Sequence, residues 1–280
     1  QATGCGLMDC KKALVENEGD FEKAVVYLRE KGLASQAKKA TRIAAEGMAY
    51  AAVIDGVGVI VEVNCESDFV AGGPLFAEFV SGVAKVIAKE APADVDALMA
   101  CPWYTGNGTV DNAKNELFLS VRENMKVRRF ERIEGKCVPY VHMKGKISVL
   151  VQLAGGTPEI AKGIAMTIAA NNPQYATKDD ISKEEIEKEY NIQVETAKED
   201  HSLDGKPDNI KEKILQGRVD KHFKEMILVD QEYVLDPSIT VGDLLKKNGA
   251  SIKKFVRYQV GEGMEKRVDD FAAEVMNQAK

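Results

Sequence analysis

Residues 61–71 read Val-Glu-Val-Asn-Cys-Glu-Ser-Asp-Phe-Val-Ala and gather the groups most able to do chemistry. An apolar, β-branched run from Val57 to Val63 stops abruptly. The acid Asp68 and the large aromatic Phe69 follow at once, and Gly72-Gly73-Pro74 then opens a new helix. A Phe at a strand-to-helix corner, beside a carboxylate, is posed as an exposed anchor for a partner, because binding hot spots are aromatic anchors set next to charge. The competing reading is packing, with Phe69 capping the local core. Cys65 offers a different chemistry, a thiol nucleophile activated by the imidazole of His142, though these two residues fall in different hairpins.

Other catalytic patterns are poor. No Gly-rich phosphate loop of the Walker type occurs, and Gly56-Val57-Gly58 lies inside a hairpin. The three histidines are His142, His201 and His222; the last two fall in a charged helical region and read as solvated. Cys5 and Cys10 are close in sequence but have no histidines to complete a metal site. No catalytic set, metal or cofactor is therefore expected. Lys11, Lys12, Lys38, Lys39 and Arg42 are either a solvated helix face or a patch that steers an acidic protein surface. The net charge of −6 disfavours nucleic acid as a direct partner. Five cysteines, an odd and scattered set, indicate reduced thiols and a cytoplasmic location. No apolar run is long enough to span a bilayer. The start, Gln1-Ala2-Thr3-Gly4, is turn-like rather than a signal peptide, and without Met it predicts further residues upstream.

The elements that must carry these residues suit an α+β chain of several modules. Residues 1–47 read as a small helical module, with Asp20 as an N-cap, Gly19 and Gly32 at helix ends, and a third helix between Ser35 and Gly47. Strands follow, Tyr50 to Ile54 and Val57 to Val63, around the hairpin dipeptide Asp55-Gly56. The next helix starts at Pro74 with Phe76, Phe79, Val80, Val83 and Ile87 as its apolar stripe. A variable stretch containing a Trp103 loop, residues 101–112, precedes a basic strand, Val127 to Ile133. Then the pattern recurs: strands Val138 to Met143 and Ile147 to Leu153, a helix capped by Thr157, and a second basic strand from Ile252 to Tyr258. Residues 48–136 and 137–263 thus read as two copies of hairpin, helix and strand. The arginines of the basic strands are expected to point outward. The second copy carries an inserted helical hairpin, about residues 181–228, opened by a Ser182/Glu185 capping box. Residues 264–280 read as an amphipathic helix with Val268, Phe271, Ala272, Val275 and Met276 on one face.

These segments closely resemble bacterial elongation factor Ts. The corner is similar to that family's Asn-Cys-Glu-Thr-Asp-Phe-Val-Ala signature, with Ser67 in place of Thr. The similarity extends to residues 3–14, Gln216-Gly217-Arg218, Val234-Leu235-Asp236-Pro237-Ser238, Val241-Gly242-Asp243-Leu244-Leu245 and residues 260–266. The resemblance implies a ubiquitin-associated-like N-terminal module, with its first helix expected to be missing here. It also implies an interaction protein rather than an enzyme, a guanine-nucleotide exchange factor for the GTPase elongation factor Tu. In that role Asp68 and Phe69 would enter the GTPase domain near its magnesium site. By the same resemblance Met8, Lys11 and Lys39 would contact that domain from the N-terminal module, and Val121, His142, Val234 and Leu235 would add further contacts. On their own pattern Val121, Val234 and Leu235 read equally well as core residues. The resemblance leaves open whether a homodimer forms in the complex. Two other readings stand beside it: an enzyme using Cys65 or Cys10 as nucleophile, and a ubiquitin-type binding module with an accessory domain.

Overall fold

The computed structural model describes residues 5–265, in two compact units. One is formed by residues 5–135, 141–148 and 258–265, the other by residues 136–140 and 149–257.

The first unit begins with α1 (Leu7–Glu16) and α2 (Phe21–Lys39), packed through Ala13, Ala24 and Leu28. Asp20 caps α2 by accepting the Lys23 amide at 3.0 Å. The expected break at Gly32 and the third helix do not exist: α2 runs unbroken to Lys39, and the strand β1 (Glu46–Ile54) follows. Gly32 sits inside the helix because a side chain there would collide, its Cβ falling 2.0 Å from Leu119 Cδ2. Close packing, rather than helix termination, accounts for this glycine. β1 turns through Asp55 and Gly56, with φ of 51° and 80°, into β2 (Val57–Cys65), as a two-residue hairpin requires.

After β2 come a single turn, α3 (Asp68–Ala71), and then α4 (Pro74–Glu90), whose predicted apolar stripe is buried against the sheet. The stretch read only as variable contains two helices, α5 (Val95–Ala100) and α6 (Val110–Val121). The signal was present but unusual: Asp94 and Thr109 are N-caps, and Thr109 forms its capping box with Asn112 instead of Glu or Gln. Trp103 stacks on Phe79 at 5.7 Å, over a Gly82 whose Cβ would lie only 2.4 Å from the indole. β3 (Lys126–Glu134) pairs antiparallel with β2 and completes a three-stranded sheet in the order β1-β2-β3.

The expectation that the arginines of β3 point outward is wrong for Arg128 and Arg129. Glu62 in β2 is fully buried, and both guanidiniums bind its carboxylate: Arg129 Nε at 2.6 Å and Arg128 at 3.0 Å. Neighbouring residues on a strand normally face opposite ways. A bulge that skips Arg128, opposite Glu62/Val63, lets both reach one acid. The Glu62 carboxylate also accepts the Asn64 side-chain amide at 3.1 Å and the Gly261 backbone N–H at 2.9 Å. Burial alone would lower the Arg129 pKa, but hydrogen bonds and charge from Glu62 and Glu262 outweigh it and hold the guanidinium above its usual range.

In the second unit the same order of elements returns: β4 (Cys137–His142), β5 (Ile147–Ala154), α7 (Pro158–Asn171) and, much later, β8 (Ser251–Gln259), forming a sheet in the order β4-β5-β8. The ends of these strands at 141–148 and from 258 belong to the first unit. Between α7 and β8 lie α8 (Lys183–Glu199), α9 (Asp208–Lys224), the short hairpin β6 (Glu232–Tyr233) and β7 (Asp236–Thr240), and α10 (Val241–Lys247). Ser182 and Glu185 close the predicted capping box on α8, and α8 and α9 form the predicted helical hairpin. Leu215, Val219 and Phe223 are buried in it, whereas Ile210, expected on that seam, is exposed. The architecture is α+β with a repeated sheet-and-helix unit. The amphipathic helix expected with Val268, Phe271, Ala272, Val275 and Met276 lies outside the described residues, as do Thr3 and Gly4.

Candidate functional site

The corner after β2 is built from the inside out. Ladder pairing with β1 ends at Cys65, so the chain leaves the sheet there. Ser67 is extended (φ −124°, ψ 153°) and caps α3, its hydroxyl oxygen accepting the Val70 amide at 3.3 Å. Val70 and Ala71 are buried and anchor the turn in the core. A single helical turn cannot bury all its side chains, so Asp68 and Phe69 are left facing solvent. Phe69 is 87% exposed, which rules out the reading that it caps the core. Gly72 and Gly73 leave the turn at once: a Cβ on either would press within 3.3 Å of a carbonyl of α3, so the chain passes close beneath it. The result is an apolar ring held out on a one-turn post, beside a carboxylate.

The other predicted contact residues fall in several places. Met8 and Lys11 are exposed on α1, Met8 at 74%. Lys39 is half-buried at the end of α2, and its amine donates to the Arg122 carbonyl at 2.6 Å. Val121 is half-buried at the end of α6, against the core. The segment just past α6 therefore joins these elements, because Arg122 also pairs with Asp9 of α1 at 2.6 Å. His142 is exposed next to the turn Met143–Gly145, where three consecutive residues have positive φ, and Gly145 packs tightly on Met48 and Ala49 of β1. All of these belong to the first unit. Val234 and Leu235 belong to the second, at the tip of the β6–β7 hairpin, and are 41% and 59% exposed. They are not the core residues their apolar character suggested. One brace of the corner carried no motif in the sequence: Glu123, whose carboxylate binds Ser67.

The thiol reading finds no support in this geometry. Cys65 is buried and donates to the Ser67 carbonyl at 3.2 Å, not to an imidazole. Burial, reinforced by the nearby Glu123 charge, pushes its thiol up to about 12, so no thiolate forms near neutrality. Cys10 likewise points its thiol at a backbone carbonyl, that of Cys5 at 3.6 Å. Among the described residues no cluster of His, Cys, Asp and Glu could hold a metal ion, and no helix is long and apolar enough to cross a membrane. Of the five residues in the basic group, Lys12 pairs with Glu16 at 4.0 Å and Arg42 with Glu66 at 3.4 Å, so two of the charges have an acidic partner within the chain.

Comparison with known proteins bears on the whole chain. Residues 66–262 match the family model described as Elongation factor TS. The chain is 47% identical over 285 residues to Elongation factor Ts of Alkalilimnicola ehrlichii, an alignment covering 100% of this chain and 95% of the relative. It is 44% identical over 293 residues to Elongation factor Ts of Syntrophotalea carbinolica, covering 99% and 95%.

Proposed function

The chain belongs to the elongation factor Ts family, and from that premise we propose that it is a guanine-nucleotide exchange factor for elongation factor Tu, acting in the cytoplasm during translation elongation. The observation that carries the mechanism is Phe69, 87% exposed on a turn whose next two residues are buried. Phe69 enters the GTPase domain of Tu as a wedge between switch-region helices. Asp68 stabilises the displaced arrangement. Mg²⁺ bridges the nucleotide phosphates to few protein ligands, so shifting its surroundings weakens nucleotide binding strongly. No covalent step is needed. Exchange is then reciprocal coupling: the factor loosens GDP by the ratio by which GDP loosens the factor. A coupling of roughly 3 kcal/mol already changes affinity over 100-fold.

In this reading the helical module of residues 1–47 and the core repeats 48–136 and 137–263 each supply part of the surface for Tu. Met8 and Lys11 act from α1, His142 from its hairpin, and Val234 and Leu235 from the β6–β7 tip. Lys39 and Val121 offer Tu only the exposed part of their side chains. The deciding experiment is stopped-flow release of a fluorescent GDP analogue from Tu, comparing this chain with the Asp68→Ala/Phe69→Ala double variant. Fast release by the native chain alone supports both role and corner. Equal acceleration by both leaves the role and removes the corner from it. No acceleration by either overturns the proposal.

A further inference from the structure

Resting on the exchange reading above, we propose that Glu123 is a positioning residue for nucleotide exchange, whose carboxylate fixes the direction in which the α3 turn presents Phe69. Glu123 follows Arg122, which ends α6 in the left-handed region at φ 60° and turns the chain toward the corner. Its Oε2 accepts the backbone N–H of Glu66 at 3.1 Å and of Ser67 at 2.9 Å. Its Oε1 accepts the Ser67 hydroxyl proton at 2.5 Å. These two amides are the first beyond the β1–β2 ladder, so one side chain takes over where the sheet stops supplying partners. Donation to Glu123 also orients the Ser67 hydroxyl, leaving its lone pair toward the Val70 amide it caps. The arrangement is reciprocal: the Glu66 carboxylate accepts the Asn124 backbone N–H at 2.7 Å. Each segment lends a carboxylate to the other's backbone, and charge-assisted bonds of this kind are short and directional.

Phe69, at 87% exposure, has little around it to set its own direction. Its aim is inherited from the base of α3, from buried Val70 and Ala71 on one side and Glu123 on the other. A wedge whose approach is fixed before contact acts more strongly, since ordering it during binding costs part of the interaction. Glu123 does not itself need to touch Tu.

The test uses the full chain with Glu123→Gln, which keeps the shape and removes the charge, and with Ser67→Ala, which leaves both backbone bonds in place. Three quantities are read: the maximal rate of fluorescent GDP release from Tu, the concentration of chain giving half that rate, and hydrogen exchange of the peptide spanning residues 64–70. For Glu123→Gln the maximal rate falls about tenfold, the order of one charged hydrogen bond. The half-saturating concentration moves by less than about threefold, since uniform binding contacts are kept. Exchange at 64–70 rises while the rest of β2 stays protected. Ser67→Ala gives a fall of about threefold or more, since it removes one of the three bonds to Glu123 together with the cap on the Val70 amide. An unchanged maximal rate with the corner deprotected overturns the proposal, as does a lost rate with the corner still protected. A native chain that fails to accelerate release overturns the exchange reading itself, and the positioning role falls with it.

Discussion

Replacing Glu62 by Gln tests the polar centre of the first unit. The carboxylate is 0% exposed and accepts from Arg129 Nε at 2.6 Å, Arg128 at 3.0 Å, the Asn64 amide at 3.1 Å and the Gly261 N–H at 2.9 Å. Gln keeps the volume but turns one acceptor into a donor that must face other donors; it removes the Glu62 charge from both guanidiniums and leaves Arg129 only its pairing with Glu262 at 3.2 Å. Breaking a fully buried pair costs about 3–5 kcal/mol. Here the two arginine side chains keep 24% and 31% of their exposure, so water offsets part of the loss. We therefore expect about 2–3 kcal/mol, a fall in Tm of roughly 4–12 °C at about 2–4 °C per kcal/mol for a chain of this size. Differential scanning calorimetry reads the shift, and because two units need not melt together, the transition must be assigned by hydrogen exchange at residues 259–262. The Gly261 amide should lose protection along with the fall. A Tm within about 1 °C of the native chain, or a Gly261 amide that stays protected, refutes the assignment of Glu62 as the acceptor that holds this network.

Phe69→Ala should leave Tm within about 1 °C, because an exposed ring has few contacts to lose, while the proposed wedge role predicts that exchange on Tu falls about 10–150-fold, the worth of burying one Phe; a large Tm loss would mean the ring packs in the free protein after all, and unchanged exchange would remove Phe69 from the proposed contact. Gly47→Ala should cost at least about 2 kcal/mol in urea unfolding, since φ is 143° and the new Cβ would sit 2.1 Å from the Val63 carbonyl oxygen; a neutral result would show that the β1–β2 pairing yields there. Cys65 makes stability depend on alkaline pH. Its folded pKa is raised from 9.0 to about 12, so the folded state holds the proton more tightly than the unfolded one. The stabilisation is whole below pH 9 and is lost as pH rises toward 12. Urea midpoints at pH 7 and pH 10.5 should diverge more for the native chain than for Cys65→Ala, and equal divergence would contradict the shift.

Several local signals in the sequence mapped to structure where one residue, or two near neighbours, settled the matter. Asp55-Gly56 turned, Pro74 and Thr157 opened helices, and Ser182 with Glu185 capped α8, since each effect is confined to a few neighbouring bonds. Apart from α5 and α6, whose local caps Asp94 and Thr109 were passed over, what failed depended on partners distant in the chain. Gly32 reads as a stop until Leu119 is found against it. Arg128 and Arg129 read as surface charge until a bulge turns both toward Glu62. The Asp-Phe corner was legible as a motif, but the exposure of Phe69 required knowing that Val70 and Ala71 take the buried side. Val234 and Leu235 carry no mark distinguishing an apolar tip from an apolar core. Glu123 was invisible for the same reason as Gly32: its partners lie 56 and 57 positions away.

The bond from Gly261 to Glu62 spans 199 residues. On a ribosome adding about 5–20 residues per second, the second partner is made roughly 10–40 s after the first. Throughout that interval β1, β2 and β3 can pair, but the Glu62 carboxylate lacks one of its donors, and Arg128 and Arg129 lack Glu262 and Gln259. Completion of the earliest-made sheet thus waits on some of the latest-made residues, and premature termination before residue 258 would release a chain whose first half is also unfinished.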